Sequence, residues 1–235
     1  MNKIIFLVML ALLGCQSQKT QIELPTAGVK SQFSQVSAKQ TVSSKFIISP
    51  NGIGEAKLGM TLGELKQISS PKTEFSSISP FSADLNAISV SKKGLVQYYI
   101  LYEINTDTES EQFMPQDDEI ITLLMTNNYN YETKEGIKVG TPIEEAEDIY
   151  GNAVLAYNVD GESVEYISFN DYDADNIRFR ASYFKLISDG LGFAGIYPEY
   201  PGVAYTTDKY QSDAAIAAIE VSCDEDDCLQ LANEN

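Results

Sequence analysis

The stretch 57–68, KLGMTLGELKQI, decides the fold, because it returns in altered form at 138–149 as KVGTPIEEAEDI. Each copy carries a glycine and then an apolar stripe at helical spacing. The stripe is Leu62, Leu65 and Ile68 in the first copy and Ile143, Ala146 and Ile149 in the second. Each copy also carries a T-x-x-E capping box, Thr61 with Glu64 and Thr141 with Glu144, whose side chains can satisfy the free amides of a helix start. Pro142 suits a first helical turn, Ser69-Ser70-Pro71 ends the first helix, and Gly151 ends the second. The stripes and the pair Gly59/Gly140 align at an offset of 81, whereas the two capping threonines align at 80. One copy therefore needs a one-residue adjustment where its helix begins. The spacing predicts helices over about 61–69 and 141–150 in equivalent places.

Outward from each helix the chain reads as strands. The first segment holds NAISVS (86–91) and GLVQYYILYEI (94–104). The second holds AVLAYNV (153–159), SVEYISF (163–169) and NIRFRASYF (176–184). These runs are β-branched and aromatic, with turn residues between them. IITLLMT (120–126) and IAAIEVS (216–222) close the two segments at an offset of 96 and read as strands, the alternative for the latter being a helix capped by Ser212. A period near 80 residues is too long for a solenoid. The expected class is α+β: two related helix-plus-antiparallel-meander halves, about 45–128 and 129–235, forming one sheet with helices on one face.

The N-terminal stretch MNKIIFLVMLALLGC has one positive charge, Lys3, before an apolar run from Ile4 to Leu13. That run has the length of a signal-peptide core and is too short to span a bilayer. LLGC, with Leu12 three residues before the cut, Gly14 before it and Cys15 after it, resembles the lipobox of bacterial lipoproteins; Leu13 departs from the more usual Ala or Ser. The resemblance implies that residues 1–14 are removed and that Cys15 carries lipid, palmitate among its acyl chains. It also implies a membrane anchor, since each buried methylene contributes about 0.8 kcal/mol. Gln16, rather than Asp, after the cysteine resembles an outer-membrane address in Gram-negative lipoproteins. Residues 15–44, rich in Ser, Gln, Thr and Lys, read as a tether to the folded part at 45–235.

The pattern Leu58-Gly59-Met60-Thr61 with Leu65, then Tyr131, Thr133, Gly136-Ile137, Val139-Gly140, Glu145 and Tyr150-Gly151, resembles bacterial tandem-repeat lipoproteins. These have the β-lactamase-inhibitor-protein-like fold, which the small lipoprotein of the outer-membrane barrel-assembly machine shares. The resemblance covers only about 50–70 and 129–151, and much of it is helix punctuation. It implies binding or assembly roles rather than catalysis. No partner carries over, because no partner-contacting residue is matched.

Composition narrows the chemistry. The net charge is −18, from 16 basic and 34 acidic residues, and becomes −19 once Lys3 leaves with the leader. That balance argues against nucleic acid and against adhesion to anionic lipid, and favours cationic partners or divalent ions. The chain has no histidine, which removes the commonest general base, the Ser-His and Cys-His pairs and the usual zinc ligand. The expectation is no enzyme and no cofactor; the rival is an envelope enzyme acting on glycan or peptidoglycan through paired carboxylates. The glycine-rich NGIGEAKLG (51–59) lacks the Lys-Ser/Thr of a phosphate loop, and Glu55 and Glu64 would repel an anion, so a turn and a capped helix are expected there.

Two acidic stretches could engage calcium. DYDADN (171–176) places Asp171, Asp173 and Asp175 like half a calcium loop, but Asn176 stands where glycine belongs and Ser182 where glutamate belongs, so a solvated hairpin loop is expected. CDEDDC (223–228) holds Asp224, Glu225, Asp226 and Asp227 between two cysteines. After export, an even remaining pair suggests a disulfide pinning a short acidic loop; a metal site is the alternative. GFAGIYPEYPGVAYTTDKY (192–210) reads as a long surface loop whose tyrosines either contact protein or glycan or pack on their own domain.

A hairpin through 170–176 would set Ile167 opposite Phe179 and Phe169 opposite Ile177, all facing the helices. The other face would then show Val164, Tyr166, Ser168, Arg178 and Arg180, with Tyr166 opposite Arg180. Two arginines reverse the charge locally, and Tyr and Arg dominate binding hot spots, so Tyr166, Arg178 and Arg180 are the candidate partner-binding residues. The alternative is that the arginines pair with neighbouring acids. Replacing both arginines with glutamate is expected to leave folding intact and to weaken partner recovery. The expected function is non-catalytic binding of an envelope protein in the periplasm or outer membrane.

Overall fold

The chain folds around one long antiparallel sheet. The computed structural model describes residues 46–82, 84–104, 113–158, 164–182, 186–187, 190–198 and 204–234. All belong to one unit, Thr41–Asn235. The expectations for the leader, Cys15 and the tether lie outside the described residues. A ribbon of short strands comes first, β1 (Ile47–Ser49), β2 (Gly52–Ile53) and β3 (Ala56–Lys57), followed by helix α1 (Leu62–Ile68). Then come β4 (Thr73–Ile78), β5 (Leu85–Lys92), β6 (Leu95–Glu103) and β7 (Leu123–Thr126). After β8 (Glu132–Thr133) and helix α2 (Ile143–Tyr150) the chain forms β9 (Ala153–Asn158), β10 (Glu165–Phe169) and β11 (Ile177–Ser182). A small hairpin, β12 (Leu186–Ile187) and β13 (Gly190–Leu191), precedes β14 (Ala204–Thr207), β15 (Ala215–Ser222) and helix α3 (Glu225–Glu234).

Among the described residues the main sheet has nine strands in the order β14-β9-β10-β11-β15-β7-β6-β5-β4, and the ribbon forms a second sheet, β3-β2-β1-β8. The two expected closing strands, β7 and β15, lie side by side in the middle. Their register sets Ile219 opposite Thr126, Glu220 opposite Met125 and Val221 opposite Leu124. Residues 215–222 are thus a strand, not the alternative helix.

One apolar cluster joins Leu62 and Leu65 of α1, Ile143, Ala146 and Tyr150 of α2, and Cys228 of α3 to one face of the sheet. Ile48 and Ile53 of the ribbon belong to it as well. A smaller cluster, Leu85, Ala87, Leu101, Met125 and Ala218, lies on the other face, against Phe81 and Tyr99. Alternation along the strands accounts for the division: Ile88 pairs with Ile100 in the first cluster and Ala87 with Leu101 in the second. Among the described residues no helix is long and apolar enough to cross a membrane.

The helix starts agree in most respects with expectation. Thr61 Oγ1 accepts from the Glu64 amide at 3.2 Å, and Glu64 Oε2 accepts from the Thr61 amide at 2.8 Å, completing the first capping box. The second box does not form. Pro142 holds the cap position of α2 and makes no side-chain cap bond, while the Thr141 hydroxyl accepts from the Lys138 amide at 3.1 Å within the preceding turn. Thr61 therefore corresponds to Pro142, at an offset of 81 like the glycines and the stripes, and the one-residue adjustment disappears. Thr61→Ala should cost about 0.5–2 kcal/mol in urea unfolding, as lost caps do; Thr141→Ala should leave the helicity of α2 unchanged by circular dichroism.

The same three hydrogen bonds tie each helix start to the lead-in of a central strand. Gly59 donates to Ile121 O (2.9 Å) and Gly140 to Ile216 O (2.8 Å). Ile121 donates to Met60 O (2.9 Å) and Ile216 to Thr141 O (3.0 Å). Leu62 donates to Glu119 O (2.9 Å) and Ile143 to Ala214 O (3.0 Å). The helix-side offset is 81 and the strand-side offset 95, one less than the sequence echo at 96. Gly59 and Gly140 both adopt positive φ, 81° and 90°, a conformation that costs other residues steric strain.

Several expectations need correction. Ile68 and Ile149 are 59% and 45% exposed, so the third position of each stripe is not core; in α2 the buried turn is completed by Tyr150. β4 was not legible, because TEFSSI is mostly polar and sits at a sheet edge facing solvent. CDEDDC is not a loop: Glu225, Asp226 and Asp227 form the first turn of α3, where the carboxylates of Asp226 and Asp227 complement the positive end of the helix dipole. Residues 204–207, expected within a loop, pair with β9 as the opposite edge strand.

Candidate functional site

The predicted hairpin register is observed, with Ile167 opposite Phe179 and Tyr166 opposite Arg180. Arg178 and Arg180 place their guanidinium carbons 5.1 and 5.7 Å from the centre of the Tyr166 ring. Both also pair with Glu220, which β15 brings opposite Arg178 and which is fully buried. Arg178 Nη2 lies 3.1 Å from Glu220 Oε2, and Arg180 bonds Oε1 through Nε and Nη2. The arginine side chains are 48% and 14% exposed respectively. The charge reversal is therefore largely answered from within the protein, and the expectation that two glutamates could replace the arginines without affecting folding is corrected. That exchange would set two new carboxylates against the buried one of Glu220. Glu220 itself was missed, because a glutamate alternating between Ile219 and Val221 reads as a solvent-facing position.

A groove of about 670 Å³ opens on the helix side, where β1, the residues of β8, the end of α2 and the turn after β10 come together. Its apolar lining includes Ile47, Ile149, Tyr150, Tyr172, Ala174 and Ile177. Tyr150, nearly buried at 4% exposure, donates to Glu135 Oε2 at 2.9 Å and meets Thr133 Oγ1 at 2.6 Å. A phenol has one proton, so the Thr133 hydroxyl is the donor in the shorter contact. The Tyr150 ring lies 4.5 Å from Tyr172, 5.7 Å from Phe169 and 6.0 Å from Phe179. Burial holds the Tyr150 hydroxyl well above its ordinary value, the bond from Thr133 lowers it somewhat, and Glu135 raises it again. Burial, then the Glu135 charge, push Tyr172 up to about 12. Both phenols are thus neutral donors at physiological pH.

The groove rim is charged. Glu135, Asp171 and Asp173 are exposed there, and among the described residues Lys134 is the one cation in the lining. Asp171 is held by its amide, which donates to Tyr150 O at 2.9 Å. Its carboxylate lies against Gly151, whose φ of 77° is a conformation that costs other residues steric strain.

The tyrosine-rich stretch packs largely on its own domain. Tyr197 donates to Glu165 Oε1 at 2.7 Å and Tyr210 to Glu147 Oε2 at 2.7 Å. The buried Glu165 also accepts from the amides of Ala194 and Gly195, each at 2.7 Å. Tyr157, Phe193, Tyr197 and Tyr205 form a ring cluster with centroids 4.1–6.2 Å apart. Tyr200 lies outside the described residues.

Asp171, Asp173 and Asp175 stand exposed in the β10–β11 turn, while Asn176 ties that turn to Pro50 O and Ser222 O at 2.8 and 3.1 Å. Cys223 and Cys228 form a disulfide with a Cα separation of 5.6 Å, inside the usual span of about 4.4–6.8 Å. Among the described residues no group of three or more histidine, cysteine, aspartate or glutamate side chains is placed to hold a metal ion.

No family model matches the chain, and no curated protein matches it. Among solved structures, the crystal structure of the uncharacterized protein yfeY from Escherichia coli is similar. Its identity to this chain is 16% and its TM-score 0.45, over 75% of this chain and 99% of that one.

Proposed function

We propose that this protein is a lipid-anchored envelope module that binds a protein partner and carries out no chemistry of its own. The observation that carries this reading is the groove. Its lining is mainly apolar, and Ile149, an apolar residue at core spacing on α2, opens into it instead of being covered. Exposed apolar surface rimmed by polar groups marks interaction sites in soluble domains. Ile68, at the equivalent place on α1, is exposed as well and lies outside this groove, which is ordinary for a surface residue. The anchor rests on Lys3, the apolar run and the LLGC ending at Cys15; Gln16 directs the protein to the outer membrane in this reading.

We read the domain as two related halves, about 45–128 and 129–235. The recurrence of three hydrogen bonds at constant offsets supports this. So does the order of strands, in which one meander with its closing strand mirrors the other across the Met125–Glu220 pair. Such a duplication places α1 and α2 equivalently over one broad sheet, α3 being an addition to the second half, and the ribbon and the turn after β10 shape the groove beside α2 only.

Two experiments test this. Cys15→Ser should abolish labelling by an acyl-chain analogue and release the protein from membranes; unchanged labelling would refute the anchor. Ile149→Glu should leave the circular dichroism spectrum unchanged, since the side chain is about half exposed, and should sharply reduce cross-linked partner recovered from the envelope. Undiminished recovery would exclude the groove as the contact.

A further inference from the structure

The groove's chemistry narrows its occupant. We propose that it takes an apolar segment of a partner protein that carries lysine or arginine beside its apolar residues. This rests on the binding-module reading and goes further by giving the segment's chemistry. The apolar requirement comes from Ile149, Tyr172 and Ala174, which present carbon surface along the opening. The basic requirement comes from the rim, where among the described residues the carboxylates of Glu135, Asp171 and Asp173 outnumber Lys134.

Lysine and arginine suit this combination because their aliphatic stems lie on apolar surface while the charged heads reach outward. A stem crossing Ile149 or Tyr172 would bring its head toward the carboxylates. An acidic segment would meet like charge at the rim and leave its carboxylates partly desolvated, which disfavours it further. The whole chain, at −18, adds a long-range field of the same sign.

Tyr150 keeps this rim in place. Its hydroxyl donates to Glu135 while its ring lies in the core, so the carboxylate is fixed before anything binds. Preorganisation of this kind lowers the entropy lost on association.

The test uses two peptides, acetyl-Lys-Leu-Trp-Leu-Lys-amide and its glutamate counterpart acetyl-Glu-Leu-Trp-Leu-Glu-amide. The protein contains no tryptophan, so peptide fluorescence reports binding without background. The lysine peptide should bind at least about tenfold more tightly at low salt, the scale set by two screened charge contacts. The preference should shrink as salt is raised. It should fall toward unity in the Glu135→Gln/Asp173→Asn variant, in which glutamine still offers Tyr150 an acceptor. Should that variant lose its native circular dichroism, Asp173→Asn alone, at an exposed turn position, carries the comparison with a partial loss expected.

Failure of the lysine peptide to bind overturns the proposal. Equal binding of both peptides, or a preference unchanged in the charge variants, overturns it too. If both peptides bind equally and Ile149→Ala weakens both, the basic occupant is refuted while the groove survives as a partner site. Absence of any cross-linked partner at the groove of the otherwise unaltered protein refutes the binding-module reading separately.

Discussion

Arg180→Met should lower the free energy of unfolding by about 3–5 kcal/mol, the cost of breaking a buried ion pair from one side. Glu220 is fully buried in the central strand β15, and Arg180 reaches one of its oxygens through two nitrogens. Methionine keeps most of the aliphatic volume but removes the charge that offsets this carboxylate. Arg178 is half exposed and holds only the other oxygen, so Arg178→Met should cost clearly less. Adding Glu220→Gln to Arg180→Met should recover much of the loss, because the buried charge is then gone. Urea unfolding of the four proteins measures this; a loss below about 1 kcal/mol for Arg180→Met, the level of exposed pairs, would refute the assignment.

Phe179→Ala should be of similar size, about 3–5 kcal/mol. Phe179 is 1% exposed, with its ring 5.5 Å from Phe169, 5.3 Å from Tyr172 and 6.0 Å from Tyr150. Truncation would open a cavity directly beneath the aromatic wall of the groove, so Tyr172 should lose its fixed position and binding at the groove should weaken along with stability. Ile149→Ala separates the two effects. Being 45% exposed, Ile149 should contribute little to stability while mattering for binding. A thermal midpoint unchanged by Phe179→Ala would contradict the packing described here.

What could be read from the sequence follows from which forces act locally. The helix starts were legible because glycine, threonine and glutamate at fixed spacing have few other uses, and the box at Thr61 forms as read. The second box misled because Pro142 lacks an amide and occupies the cap position, so the threonine before it turns to Lys138 instead. The Ile167–Phe179 and Tyr166–Arg180 pairs were legible because alternation and a short turn leave few registers. The edge strand β4 was not, since a polar strand with one free side needs no apolar pattern.

The sites divide in the same way. Tyr166, Arg178 and Arg180 were found from alternation alone, but their common partner Glu220 comes from a strand some 40 residues away, a separation that local pattern does not reach. The groove was not legible at all. Ile47, Thr133, Tyr150 and Tyr172 lie far apart in the chain, and each reads as an ordinary core or turn residue. Ile149 gave a signal as the last member of an apolar stripe, which read as burial, and Asp171 and Asp173 gave one as half a calcium loop, which read as a solvated turn.

The central claim is that a partner protein contacts this domain through the groove. A photo-crosslinking amino acid placed at position 149, with the same residue at position 68 as an internal control, tests it in intact cells. The account predicts a discrete protein adduct at 149 that added lysine peptide suppresses, and none at 68. No adduct at 149, or equal adducts at both positions, would contradict it.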